Sequence, residues 1–140
     1  MSAPRPSDCY DFSQWPVVVM RPPSLRVTDA ELRSMQEYFR EQVIARGGVY
    51  YLVNDLTQSA GGMNASQRKM LVEEMERIEA LPHVTQGCIA LVFTSGLLRG
   101  MLTAVLWMRK PKSPTRTFGT VDEAVAWAKE LAAAAAPATA

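Results

Sequence analysis

The sequence predicts one α/β domain, with a mixed, mainly parallel sheet of about five strands and four helices. Two apolar runs, 48–53 and 88–93, contain many β-branched and aromatic side chains, which is typical of strands buried on both faces. Helical segments with capping patterns alternate with the strands, and this alternation favours parallel pairing with right-handed crossovers. A chain of 140 residues fits a single domain.

The chain begins with a predicted leader and a β-hairpin. Residues 1–8 are rich in Pro and Ser, and we interpret them as a flexible leader. The alternation at 10–12 and the apolar run 15–20 predict two antiparallel strands. Pro16 should lie near the start of the second strand, because proline has no N–H to donate to a neighbour. The domain should span 9–133.

Three capping boxes mark predicted helix starts. They are Thr28–Glu31, Asn64–Gln67 and Thr120–Glu123. The first helix should end at Gly47 and the second before Pro82. On the second helix we expect Glu74 on the charged solvent side. Its predicted core side chains are Met70, Leu71, Met75 and Ile78.

Two further elements complete the predicted order β-β-α-β-α-β-α-β-α. A third helix is predicted over 97–108, and a short strand over 115–118 precedes the last helix. The alanine-rich segment 134–140 is expected to be a disordered tail.

Composition excludes several functional classes. The chain has 15 Lys and Arg against 14 Asp and Glu, so a nucleic-acid partner is not expected. No run approaches the roughly 18 apolar residues of a membrane span, and no signal peptide is evident, so we expect a cytoplasmic protein without membrane contact. Cys9, Cys88 and the single His83 form no metal-binding or Cys–His pattern. With no nucleotide or nucleophile motif, we expect neither a cofactor, nor a metal, nor an enzyme.

The stretches 51–57 (Tyr-Leu-Val-Asn-Asp-Leu-Thr) and 118–124 (Phe-Gly-Thr-Val-Asp-Glu-Ala) resemble the STAS family. This domain is shared by bacterial anti-sigma-factor antagonists and sulfate transporters. The first stretch is similar to the family's central strand, which ends in an Asp-Leu-Ser type sequence, and the second to its closing strand and helix start. The resemblance covers about 9–133 and is closer to stand-alone STAS-like bacterial proteins than to the phosphorylated antagonists. It implies a regulatory domain that docks another protein.

The phosphorylation motif of the family is absent. The antagonists carry Asp-Ser-Ser-Gly at the start of the helix after the central strand, and the first serine is phosphorylated. In this sequence, Asn64 occupies the position of that serine. Ser66 lies two residues further, where a helix N-terminus favours negative charge, so Ser66 is the candidate phosphorylation site.

The candidate binding edge follows the central strand. Asp55 ends that strand, Thr57 follows it, Arg68 lies early in the next helix, and Arg99 comes after the strand 88–93. Since the carboxyl ends of parallel strands share one edge, we expect these residues to lie close together. The arginines could bind a carboxylate or phosphate. Alternatively, Asp55 accepts hydrogen bonds from its own loop, and the arginines pair with it or are solvated.

The predicted helix 97–108 is apolar on more than one face, which exceeds what one sheet face needs. Leu98, Leu102 and Trp107 are therefore candidate contacts for a partner protein or for a second copy in a homodimer. The leading hypothesis is a non-enzymatic cytoplasmic interaction module that docks through this helix and the edge after Asp55. The alternative is a small-ligand or lipid-binding module, in which Arg68 and Arg99 hold an anionic head.

Overall fold

The computed structural model describes residues 5–22, 27–58, 64–94, 96, 99–100, 103 and 110–135. Its strands are β1 Tyr10–Asp11, β2 Val17–Met20, β3 Gly48–Asp55, β4 Val84–Val92 and β5 Thr115–Phe118. Its helices with defined bounds are α1 Asp29–Arg46, α2 Ala65–Glu79 and α3 Val121–Ala135, and a 3-10 turn, Pro6–Cys9, precedes β1. The α/β class is confirmed.

The strands form one sheet in the order β1-β2-β3-β4-β5. β1 is antiparallel to β2, while β2, β3, β4 and β5 are parallel to their neighbours. The predicted hairpin and the predicted parallel pairing are both confirmed. β3 lies in the middle of the sheet and pairs on both sides, which explains why four consecutive residues from Tyr50 to Val53 are buried.

β4 is longer than predicted, because Gly87 interrupts the strand pattern without ending the strand. The strand begins at Val84, and the register with β3 shifts between Tyr50 and Tyr51, opposite Gly87. A Cβ atom at Gly87 would lie 2.5 Å from the Tyr51 ring. Glycine is required here because the ring crosses the β-bulge at close range.

The capping boxes at Thr28 and Asn64 are confirmed, with both reciprocal hydrogen bonds present in each. At the third helix, the Thr120 hydroxyl accepts a hydrogen bond from the Glu123 N–H at 3.3 Å. α1 ends at Arg46 and is capped by Gly47, whose φ of 70° suits glycine. α3 runs to Ala135, two residues into the range expected for the tail.

Helices cover both faces of the sheet. α1 and α2 cover one face, where the buried residues are Val18, Phe39, Val43, Tyr50, Leu52, Ile78 and Val84. α3 covers the other face over a second cluster, made of Val17, Val19, Tyr51, Val53, Cys88, Ala90, Val92, Ala124 and Ala128. Successive right-handed crossovers in one direction explain why α1 and α2 lie on the same side.

The prediction that Glu74 lies on the solvent side of α2 is wrong. Glu74 is buried, whereas Met70, Leu71 and Met75 are only half-buried; Ile78 is buried as predicted. The reason is that α2 packs against α1 as well as the sheet, so its charged stripe meets α1.

The fourth predicted helix lies mostly outside the described residues. Arg99, Gly100 and Thr103 are helical, and the Thr103 hydroxyl donates to the Arg99 carbonyl at 2.8 Å. The candidate contacts Leu98, Leu102 and Trp107 are outside the described part. Over the ranges that the structure covers, no helix has the length and apolarity needed to cross a membrane.

Candidate recognition edge

Asp55 forms an ion pair with Arg21 across the edge of the sheet. Met20 pairs with Asn54 in the β2–β3 register, so the next residues along, Arg21 and Asp55, are neighbours on the same face. Arg21 Nε lies 3.2 Å from Asp55 Oδ2. The aspartate side chain is 7% exposed and the arginine side chain is 51% exposed, so a buried carboxylate anchors an accessible guanidinium.

Thr57 donates two hydrogen bonds to the other carboxylate oxygen of Asp55. Its hydroxyl donates to Asp55 Oδ1 at 2.6 Å, and its backbone N–H donates to the same oxygen at 3.1 Å. This is the loop-anchoring arrangement that the sequence left open as an alternative role for Asp55. Both carboxylate oxygens therefore have protein donors.

Arg68 and Arg99 lie on other elements than the Arg21–Asp55 ion pair. Arg68 is in the first turn of α2, where its N–H bonds to the Asn64 carbonyl. The Arg99 guanidinium lies 5.8 Å from the centre of the Phe93 ring. Phe93 belongs to a third apolar cluster, composed of Leu56, Ile89, Leu91 and Phe93. Arg99 therefore lies over apolar surface, next to the end of β4.

Sequence reasoning missed Arg21. Arg21 directly follows the predicted strand 15–20 and was not among the candidate residues, although the ends of adjacent parallel strands must meet. Aligning the end of β2 with the end of β3 would have placed Arg21 beside Asp55. Asp11 is also near: hydrogen bonds from Ser13, and to a lesser extent the charge of Arg21, lower the pKa of Asp11. The edge thus carries mixed charge.

Ser66 joins the beginnings of α1 and α2. Its exposed hydroxyl donates to Asp29 Oδ2 at 2.9 Å, and the neighbouring Gln67 side chain donates to the Val27 carbonyl at 2.7 Å. A phosphate on Ser66 would therefore face the Asp29 carboxylate as well as the start of α2. Like-charge repulsion would oppose the favourable helix-terminus interaction.

A buried ionic cluster between α1 and α2 was also missed. Arg40 Nη1 donates to Glu74 Oε1, and Arg77 Nη1 lies 3.7 Å from the same oxygen. Burial raises the pKa of Glu74, and the two guanidinium groups oppose that rise. Burial likewise raises the pKa of Tyr50, whose hydroxyl has no partner within the described ranges. Only the contact with α1 reveals this cluster, because α2 alone places Glu74 among its charged residues.

The cysteines offer no reactive thiolate. Cys9 and Cys88 are both buried and unpaired. Burial raises the pKa of the Cys9 thiol and raises that of Cys88 to about 11. In the described portion of the chain, no group of three potential ligands could hold a metal ion.

Fold and edge together define an α/β protein with a mixed five-stranded sheet and an arginine anchored at its carboxyl edge. No protein-family model matches this chain, and comparisons with curated proteins and with solved structures found no match. The resemblance to the STAS family therefore stays a prediction.

Proposed function

We propose that this protein is a non-enzymatic, cytoplasmic regulatory domain of STAS-like type, which docks a partner protein through the sheet edge at Arg21 and Asp55. The observation that carries the proposal is that both carboxylate oxygens of Asp55 already accept hydrogen bonds from the protein. Arg21 and Thr57 use both of its oxygens, and the carboxylate is buried. Such a carboxylate is poorly placed to act as a base or nucleophile, whereas the exposed half of Arg21 is available for contact.

An anchored arginine suits recognition for a physical reason. A guanidinium has five N–H groups, and the contact with Asp55 uses only the one on Nε. Fixing the side chain in advance reduces the conformational entropy lost on binding. The remaining N–H groups form a planar fork that fits a carboxylate or a backbone carbonyl of a partner.

The charges around Arg21 favour a protein over a free anion. Asp55 is in direct contact, and Asp11 is close enough for its pKa to respond to Arg21. One cation beside two carboxylates attracts a small anion weakly. A protein surface can instead match this mixed pattern with groups of both signs.

The second candidate function, a small-ligand or lipid-binding module, is favoured by Arg99. Its guanidinium lies over Phe93, which belongs to the apolar cluster with Leu56, Ile89 and Leu91. A cation beside apolar surface suits an amphipathic ligand with an anionic head. Native mass spectrometry of the purified protein distinguishes this function, because a bound small molecule would add a fixed mass that Arg99→Ala removes.

Affinity enrichment with variant baits tests the docking proposal. The wild-type protein, Arg21→Ala and Arg33→Ala are compared as baits in native lysate with quantitative mass spectrometry. Arg33 is the matched control, since it is exposed on α1 and forms no ion pair within the described chain. We expect a stoichiometric partner with wild type and Arg33→Ala that is lost with Arg21→Ala. Equal enrichment by all three folded baits would contradict docking at this edge.

A further inference from the structure

β5 is an open edge of the sheet. It pairs with β4 on one side, and no described strand lies on its other side. Thr115, Arg116 and Thr117 are exposed, and Phe118 is half-buried against Trp127. Exposed edge strands present unpaired backbone groups that can add another strand.

The ladder to β4 shows which backbone groups face outward. The Ile89 N–H donates to the Pro114 carbonyl at 2.9 Å, and the Phe93 N–H donates to the Phe118 carbonyl at 3.3 Å. In a parallel pair, alternate residues of a strand direct both N–H and C=O to the same neighbour. The N–H and C=O groups of Thr115 and Thr117 therefore point away from the sheet.

The two ends of β5 carry opposite charge. Lys110 and Lys112 precede the strand, and Asp122 and Glu123 follow it at the start of α3; all four are exposed. Antiparallel pairing of two copies would bring the basic end of one strand to the acidic end of the other. A second copy of this chain is therefore the occupant that the charges favour.

We propose that β5 pairs antiparallel with β5 of a second copy about a two-fold axis at Thr117. Outward-facing residues must lie opposite one another, so Thr117 pairs with the partner's Thr117. In this register, Arg116 lies opposite the partner's Phe118. Beyond the strand ends, the basic segment at Lys112 lies at the same end of the pair as the start of the partner's α3, which carries Asp122.

Other registers are less favourable. An axis at Arg116 also satisfies the backbone pattern, but it sets two like charges directly opposite each other. An axis at Thr115 would set the outward-facing Thr117 opposite the partner's Ser113, which lies outside the strand. The Thr117 axis instead gives a Thr–Thr pair and adds the partner's ring to Arg116, which already lies 5.2 Å from its own Phe118 ring.

The resulting dimer is weak but closed. A four-residue strand buries less than the roughly 1,200 Å² of a standard interface, so association should depend on protein concentration. Pairing consumes the β5 edge of both copies, which prevents further addition at that edge. Arg21 follows β2, three strands away, so both copies keep that edge accessible. The inference is independent of the proposed docking function.

Sedimentation velocity over a concentration series up to about 1 mM tests the backbone pairing. We expect reversible dimers for wild type and for the control Thr117→Ser, and monomers for Thr117→Pro at all concentrations. Proline should be tolerated, because the Thr117 N–H points outward on an edge strand. Circular dichroism checks that each variant is folded.

Charge reversal provides a second test that does not rely on proline. Lys112→Glu and Asp122→Lys should each weaken the dimer about tenfold, and the double variant K112E/D122K should restore it. Lys129→Glu, an exposed change on α3, should have no effect. A wild type that is monomeric at 1 mM, or a reversal that the double variant does not rescue, would overturn the inference. So would a dimer that persists in Thr117→Pro but is lost in Leu98→Asp.

Discussion

Removing the Arg40 guanidinium should destabilise the contact between α1 and α2 strongly. Arg40 donates to Oε1 of Glu74, whose side chain is only 10% exposed. The other oxygen, Oε2, is buried and has no partner within the described ranges. Arg77 lies 3.7 Å from Oε1, but its side chain is 54% exposed. Arg40→Ala would therefore leave a buried carboxylate with one partly solvated partner.

The expected cost follows from that geometry. Removing one partner of a fully buried ion pair costs about 3–5 kcal/mol. Arg40 is 21% exposed and Arg77 remains near, so we expect a smaller loss, about 2–3 kcal/mol. A domain of this kind has a total stability of about 5–15 kcal/mol, so the loss is readily measurable.

The pH dependence of this loss has a defined sign. Burial raises the pKa of Glu74 above its ordinary value. Its contribution to stability is thus full below the unfolded pKa of about 4.3 and is lost as the pH rises through the folded pKa. Arg40→Ala should raise the folded pKa further, so the loss should be largest near neutral pH and should shrink near pH 4. The facing tyrosines, Tyr50 and Tyr10, stay uncharged in this range, since burial raises the pKa of both.

Urea unfolding followed by tryptophan fluorescence at about pH 7 and about pH 4 measures both effects. The double variant with Glu74→Gln should recover most of the stability lost in Arg40→Ala, because no buried charge remains. Glu41→Ala, an exposed change on α1 outside the groove with α2, should change the stability by less than about 0.5 kcal/mol. A loss in Arg40→Ala below that value, or an equal loss at both pH values, would refute the reasoning.

Three further outcomes are expected. Gly87→Ala should lower the free energy of unfolding by about 1–3 kcal/mol in urea titrations, because the new Cβ would lie 2.5 Å from the Tyr51 ring; an unchanged midpoint would contradict this close contact. Arg46→Ala should cost about 0.5–1 kcal/mol and change the fluorescence of Trp15, whose ring centre is 5.4 Å from the Arg46 guanidinium; an unaltered spectrum would count against the stacking. Cys88, with a pKa of about 11, should react with a thiol reagent only after unfolding, and rapid labelling of the native protein would contradict its burial.

Local signals predicted most of the fold. The capping residues Thr28 and Asn64 fixed the starts of α1 and α2, because each box involves only four consecutive residues. The apolar run of β3 identified the middle strand, since only a strand with neighbours on both sides and helices on both faces buries four residues in succession. These features depend on the order of residues, and that order is visible in the sequence.

Features that depend on contacts between elements were not predictable in the same way. The Arg21–Asp55 pair needs the register of β2 against β3, and the burial of Glu74 needs Arg40 from another helix. The predicted strand 88–93 starts only after Gly87, because a glycine in a β-bulge and a glycine in a turn look alike in sequence. Each case requires knowledge of which neighbour lies opposite.

The anchored arginine also decides which substitution can separate recognition from folding. Changing Asp55 would release both Arg21 and the Thr57 loop, so binding and stability would fall together. Arg21→Lys keeps the positive charge beside the buried carboxylate but removes the planar fork that a partner would contact. We expect this variant to keep the urea midpoint within about 1 kcal/mol of wild type and to lose the partner enriched by the wild-type bait. Full retention of that partner would mean that charge alone is recognised, and that the geometry set by Asp55 serves folding rather than docking.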